Sequence, residues 1–412
     1  MRKIYSALDI GSSFIKLVVG EFLNGKLNIL CAVKKECKGF KNNQITDSEK
    51  LINSINDVLN EASNKLNFKI TKLIVNIPAD YNDFKIAESK IPINNEEEIV
   101  TSNDIVKVMQ NTSNNELKET EELLANIPII FQVGDEETKA PLGKKGKSLF
   151  LKSVLVITDK KRVYDLAKVL EKCDVQIIDI TTTGLVDYYN FKNKEYDNKN
   201  IVIVNVGATT TNISIFSKGI YINHMSIDNG SFDIDKEIAM KYNLRKKEAT
   251  YLKETLALAS INRADIREIT TLIDRDGKEV QINQKELSDL VNKKIIEMLK
   301  NIKKNINYLT KKEISYIIIT GGLAEFKDLA IPLSKILPNA EIGFINDIGA
   351  RDASFSVSLG MLRYFNEKLN LRGKNYSMLD EDELEYLTSS SSKLAANSDT
   401  ILGKVFSYFF DN

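Results

Sequence analysis

The chain has no tryptophan, one histidine and three cysteines, and each shortage closes a class of function. Three thiols cannot build a disulfide framework, and the separation of Cys31 from Cys37 is not a zinc spacing; with Cys173 they read as reduced intracellular thiols. The lone imidazole, His224, sits in a strand-like stretch from Gly219 to Ser226 without a Ser, Cys or Glu constellation, so it reads as structural. Net charge is missing too. Lys and Arg total 57, as do Asp and Glu, which removes any general attraction to nucleic acid or an anionic membrane. No apolar run has the length of a membrane span, and the N-terminus enters a strand directly, so a protein of the cytosolic side is expected. A length of 412 residues accommodates two or more domains.

What the chain does have is one device used twice. Leu8-Asp-Ile-Gly-Ser-Ser-Phe-Ile-Lys16 and Val204-Asn-Val-Gly-Ala-Thr-Thr-Thr-Asn212 each end an apolar strand in a turn of small residues. Each then resumes an alternating strand (Ile15, Leu17, Val19; Ile213, Ile215). Such a hairpin tip exposes backbone N–H groups and hydroxyls, and two tips facing across a cleft suit the phosphates of one nucleotide. In the first copy Gly11 permits the turn, Ser12 and Ser13 supply hydroxyls, Lys16 supplies a point charge, and Asp9 closes the strand. The second offers Gly207, Ala208, Thr209 and Thr210. A third signal, Gly321-Gly322 after an apolar strand at 314–320, suits a backbone lying flat against a planar base.

Hydrophobic periodicity predicts strands at 3–9, 14–22, 26–33, 72–78, 127–133, 148–158 and 175–180. It predicts helices at 48–66, 160–172, 285–309 and 353–368, with further helix signals at 94–109 and 114–124. Residues 230–310 read as largely helical. The alternation implies an α/β fold with mixed sheets rather than a barrel.

The ordered set of motifs resembles the actin superfamily of split, two-lobed ATP-binding proteins and, within it, the FtsA family. The residues that carry the resemblance run in order along the chain. They are Asp9 to Lys16, Val18-Val-Gly-Glu21, Ala140-Pro-Leu-Gly143 in an inserted module, the second loop from Asn205, Asp233 to Ala239, Lys247 to Lys253, and Thr320-Gly-Gly-Leu-Ala324. The resemblance implies an actin-like fold with duplicated mixed sheets flanked by helices, a small inserted α+β subdomain and a C-terminal amphipathic helix. The implied division is 1–81, 159–196 and 346–372 for the first lobe core and 82–158 for the insertion. The second lobe core takes 197–228 and 313–345, with an outer subdomain at 229–312. A disordered linker at 373–398 and a membrane-targeting helix at 399–412 complete it. ATP is expected with Mg2+, the metal held by Asp9 through water, and Lys253 is expected at the ribose.

Departures from the family pattern bear on catalysis. Asn205 stands where relatives carry Asp, Ala208-Thr209 where they carry glycines, Asn212 where they close with Asp, and Thr250 at an acidic ribose position. Thr183-Gly184-Leu185 replaces a Glu-Pro-Leu turn and leaves no carboxylate there to orient an attacking water. The expectation is ATP binding with hydrolysis that is very slow or absent, and no confident catalytic residue beyond a possible part for Asp9.

The last residues carry an amphipathic pattern. At about 100° per residue, Ile401, Leu402, Val405, Phe406, Tyr408, Phe409 and Phe410 share one side, opposite Gly403, Lys404, Ser407 and Asp411. The family implies an assembling scaffold at the division septum that tethers the C-terminal tail of FtsZ to lipids on the cytoplasmic face of the membrane, with other division proteins as partners. The rival readings are a pilus-assembly adaptor of the same superfamily and a sugar or acid kinase.

Overall fold

The computed structural model describes residues 2–379. The first lobe opens on β1 (Lys3–Ile10), β2 (Phe14–Leu23) and β3 (Lys26–Glu36), an antiparallel meander. A short hairpin, β4 (Phe40–Lys41) and β5 (Gln44–Ile45), leads to α1 (Ser48–Leu66) and then β6 (Lys72–Ile77). Alternate residues of β1 feed opposite faces of the sheet, as the strand period of two requires. Ile4, Leu8 and Ile10 join the core under α1, whereas Tyr5 and Ala7 join the core between the lobes. On α1 the buried Leu51, Ile55, Val58, Leu59 and Ala62 form one stripe. Asp47 caps its start by accepting from the Lys50 N–H, and Asn67 ends it in a left-handed conformation.

An insertion follows: β7 (Asp83–Pro92), α2 (Ser102–Asn114), β8 (Glu121–Val133), β9 (Glu136–Thr138) and β10 (Ser148–Asp159), with strand order β7-β10-β8-β9. Two helix expectations fail here. Residues 114–124 contain the end of α2, an exposed turn and the start of β8, because β10 pairs with β8 from Glu121 onward and that pairing overrides local helix propensity. The helix expected over 94–109 begins only at Ser102, where Thr101 and Asp104 form a capping box. Strand β7, with its charged alternation, has no counterpart among the expected elements. The lobe resumes with α3 (Lys160–Glu171) and β11 (Gln176–Thr182), giving a five-stranded sheet of order β11-β6-β1-β2-β3.

Two one-turn helices, α4 (Thr183–Val186) and α5 (Tyr188–Phe191), cross to the second lobe. There β12 (Asn200–Val206), β13 (Thr211–Ser217) and β14 (Ile220–Ile227) repeat the meander. The outer part carries α6 (Ser231–Lys241), α7 (Lys246–Thr255), and a hairpin of β15 (Ile269–Ile273) and β16 (Glu279–Asn283), an exception within the largely helical region. Then come α8 (Gln284–Leu309), β17 (Tyr316–Thr320), α9 (Ala330–Ile336) and β18 (Ala340–Ile342). The sheet order β14-β13-β12-β17-β18, with β12, β17 and β18 parallel, copies the first lobe strand for strand. Leu287, Val291, Ile295, Met298, Leu299, Ile302 and Ile306 of α8 bury the expected stripe.

The helix α10 (Ser356–Leu371) returns to the first lobe and packs Phe365 edge-on against Tyr5 at 5.1 Å. Past Gly373, Tyr376 to Leu379 lie against β1. Met378 and Leu379 are buried, the Met378 N–H donates to the Ile4 carbonyl, and Lys72 donates to the Met378 carbonyl. The expected linker therefore starts as a strap pressed on the sheet. Among the described residues no helix is long and apolar enough to cross a membrane. The amphipathic pattern at 401–410 lies outside the described residues.

Candidate functional site

The two repeated turns have one geometry. In the first, the Gly11 N–H donates to the Phe14 carbonyl at 3.0 Å, and Ile10 pairs with Ile15. In the second, the Gly207 N–H donates to the Thr210 carbonyl at 2.9 Å, and Val206 pairs with Thr211. A Cβ on either glycine would stand 3.1 Å from that carbonyl oxygen, so a side chain would crowd both turns alike. The tips meet: the Thr209 hydroxyl donates to Ser12 Oγ at 3.1 Å. Among the described residues no backbone carbonyl takes the N–H groups of Ser12, Ser13, Ala208 or Thr209. Free backbone donors on two tips in contact suit an anion. The second loop is held from behind by α6, whose Ser231 and Phe232 N–H groups donate to the Gly207 and Ala208 carbonyls.

Register exposes a chemical difference. Asp9 lies across the hairpin from Lys16, and their side chains form a buried ion pair at 2.6 Å. The equivalent pair in the second loop is Asn205 and Asn212, both neutral. A carboxylate nevertheless lies beside Asn205. Asp187, between α4 and α5, is 1% exposed. It accepts from Asn205 Nδ2 at 2.7 Å and from the Ser356 hydroxyl at 2.8 Å. Burial pushes its carboxyl up to about 6; the two hydrogen bonds and Lys16 favour the charged form, and Asp9 opposes it. The turn Thr183-Gly184-Leu185 does lack an acid, but the next turn of chain supplies one, and only the tertiary fold brings it under the cleft. An aspartate in a short apolar segment, Leu185-Val-Asp-Tyr188, was the available signal.

The ribose expectation changes in a similar way. Lys253 is 7% exposed and pairs with Asp235 at 2.8 Å; the Thr250 hydroxyl donates to the same carboxylate at 2.9 Å. The acid absent at 250 is thus present at 235, on the neighbouring helix α6. Burial lowers the pKa of Lys246, which also senses Asp235, Lys253, and Lys41 from the hairpin of the opposite lobe. That hairpin reaches over, with Asn43 donating to Asp80 at 2.6 Å and approaching Thr210 at 3.5 Å.

The two glycines after β17 play different parts. Gly321 has φ +81, and a Cβ there would meet Asn205 Oδ1 at 2.4 Å and the Val206 carbonyl at 2.7 Å. Its smallness is demanded by the lobe itself. Around Gly322 a Cβ would find open space, so this is the glycine that leaves room for a ligand.

Among the described residues no group of three or more His, Cys, Asp or Glu is placed to hold a metal directly. The oxygens of Asp9 and Asn205, with the unpartnered buried Asn76 Oδ1, Asn212 Oδ1 and Thr320 Oγ1 around them, suit a hydrated hard cation. The three cysteines are free and buried, and burial foremost, with Asp9 second, pushes the Cys37 thiol up to about 12.

Comparison with known proteins agrees with this geometry. A family model described as cell division protein FtsA matches residues 202–360. The Bacillus subtilis cell division protein FtsA is 23% identical over 397 residues, 95% of this chain and 90% of that protein. Its Enterococcus faecalis counterpart is 24% identical, covering 88% and 83%. The chain resembles FtsA over nearly its whole length. Among solved structures, a PilM–PilN type IV pilus biogenesis complex aligns with TM-score 0.60 at 13% identity, covering 87% of this chain and 98% of that one. MreB5 of Spiroplasma citri bound to ADP aligns with TM-score 0.54 at 11% identity, covering 89% and 97%. The fold is actin-like, in keeping with the duplicated sheets.

Proposed function

We propose that the chain is a cell-division protein of the FtsA kind that binds ATP with Mg2+ between its lobes, assembles with copies of itself and tethers FtsZ to the cytoplasmic membrane. The observation that carries the nucleotide part is the meeting of two turns of like geometry, Ser12 against Thr209, with their N–H groups unclaimed by backbone carbonyls. Ser12, Ser13, Ala208 and Thr209 bind phosphate oxygens. Lys16 supplies charge, Gly322 leaves the base its space, and Lys253 with Asp235 addresses the ribose. Mg2+, when bound, offsets phosphate charge and is held by Asp9 through water. ADP in the MreB5 structure supports the assignment by fold alone.

Hydrolysis is slow or absent in this reading. Asp187 is the carboxylate that the fold brings beside the connecting turn, and both its oxygens already accept hydrogen bonds within the protein. The membrane part rests on the apolar face of Ile401, Leu402, Val405, Phe406, Phe409 and Phe410. A pilus adaptor, suggested by the PilM likeness, has no need of that face.

Two measurements test the proposal. Calorimetric titration with ATP should give saturable binding, and absence of binding rejects the cleft assignment. Co-sedimentation of FtsZ polymers with vesicles should require this protein and should fail when the chain stops at residue 398. Recruitment that survives the truncation rejects the tether.

A further inference from the structure

An asparagine at 205 would by itself leave the second loop without the negative charge that the first loop carries at Asp9. The surroundings explain both the asparagine and the missing charge. Across the hairpin stands Asn212 rather than a lysine, so a carboxylate at 205 would have no cation of its own. Behind it, 2.7 Å from Nδ2, stands Asp187. Two carboxylates in hydrogen-bond contact cannot both ionise. One acid and one amide satisfy the position, and the acid occupies the inner place.

The arrangement also orients the amide. An ionised carboxylate only accepts hydrogen bonds, so Asn205 must turn its NH2 toward Asp187 and its carbonyl away. Oδ1 then lies beside Gly321, where a Cβ would come within 2.4 Å of it. Asp187 is itself held by the Ser356 hydroxyl at 2.8 Å, and among the described residues no lysine or arginine bonds to it. We propose that Asp187 is a positioning residue of the cleft. It fixes the Asn205 carbonyl as an acceptor for a cation-bound water and supplies from behind the negative charge that residue 205 lacks. The pair together serves the hydrated divalent cation of a nucleotide–metal complex, which rests on the nucleotide reading above.

The test compares the full chain with Asp187→Asn, Asn205→Asp and the double exchange, using a fluorescent ATP analogue titrated with Mg2+ and with EDTA. The native chain should bind more tightly with Mg2+. Asp187→Asn should lower the affinity measured with Mg2+ by about tenfold or more while changing the EDTA value less than about threefold, since a charge rather than a fold is removed. The double exchange keeps one acid and one amide in contact and should recover most of the Mg2+ effect. Melting without nucleotide gives an independent reading: Asn205→Asp should melt below the native chain, and adding Asp187→Asn should restore it. If the native chain binds no nucleotide, the cleft assignment fails and this inference with it. If it binds and Asp187→Asn keeps the whole Mg2+ effect, only this inference fails. An Asn205→Asp protein that melts like the native chain overturns the contact.

Discussion

Gly360 of α10 shows how closely the two crossings between the lobes are packed. A Cβ at 360 would stand 2.1 Å from the Val186 carbonyl oxygen, and a backbone atom cannot move aside as a side chain would. Gly360→Ala should cost about 1–3 kcal/mol, the range for overpacked sites, read as a lowered midpoint in urea. Gly322→Ala makes the contrast: it should melt like the native chain yet weaken ATP binding. His224 gives a pH prediction. Burial lowers its imidazole to about 3, so the folded chain keeps it neutral while the unfolded chain protonates it near 6.5. The unfolded state binds more protons below that pH, and stability is lost as pH falls. His224→Gln should remove about 2 kcal/mol of that loss between pH 6.5 and 5. Asp187 acts in the opposite direction, because its raised pKa favours the folded state as pH falls. The difference between the two proteins' denaturation curves isolates the imidazole.

Single elements were legible where their own residues decide them. Helices α1 and α8 declare themselves by hydrophobic periodicity, and β1, β2, β12 and β13 by alternation and repetition. Strand β8 did not, because Glu121 to Leu124 has helix-forming composition and becomes a strand through eleven pairings with β10, a partner distant in sequence. The cleft divides in the same way. Loop residues Asp9 to Lys16 were readable, since the chemistry sits in consecutive positions. Asp187 and Asp235 were not, since each serves a residue brought near only by folding. The strap at Tyr376 to Leu379 was hidden for a similar reason: its two buried side chains fill a place on β1, at the other end of the chain. A chain ending at Gly373 should be less stable than one ending at Leu379 by about 3 kcal/mol or more, by comparison with losing a buried Met or Leu, measured by denaturant unfolding.

At the scale of the whole molecule, the proposed membrane tail is expected to bind weakly when alone. Burying each large apolar side chain yields about 1.5–3 kcal/mol, while ordering each residue of a short helix costs about 1 kcal/mol. The sums nearly cancel, and Lys404 against Asp399 and Asp411 adds little attraction to anionic lipid. Vesicle binding should therefore depend on assembly, many weak tails acting as one strong attachment. Dilution below the assembly concentration should release the protein from vesicles in a flotation assay; retention at every dilution would show that a single tail suffices.

In the proposed tether the strap fixes where the tail leaves the described body. Everything beyond Leu379 departs from one fixed spot, stitched to Ile4 and Ser6 at the start of β1. Near the far end of the same strand is Asp9. In the proposed tether, a pull on the tail should reach the strand that runs into the first loop of the cleft, so tugging from outside and gripping within would share a single strand.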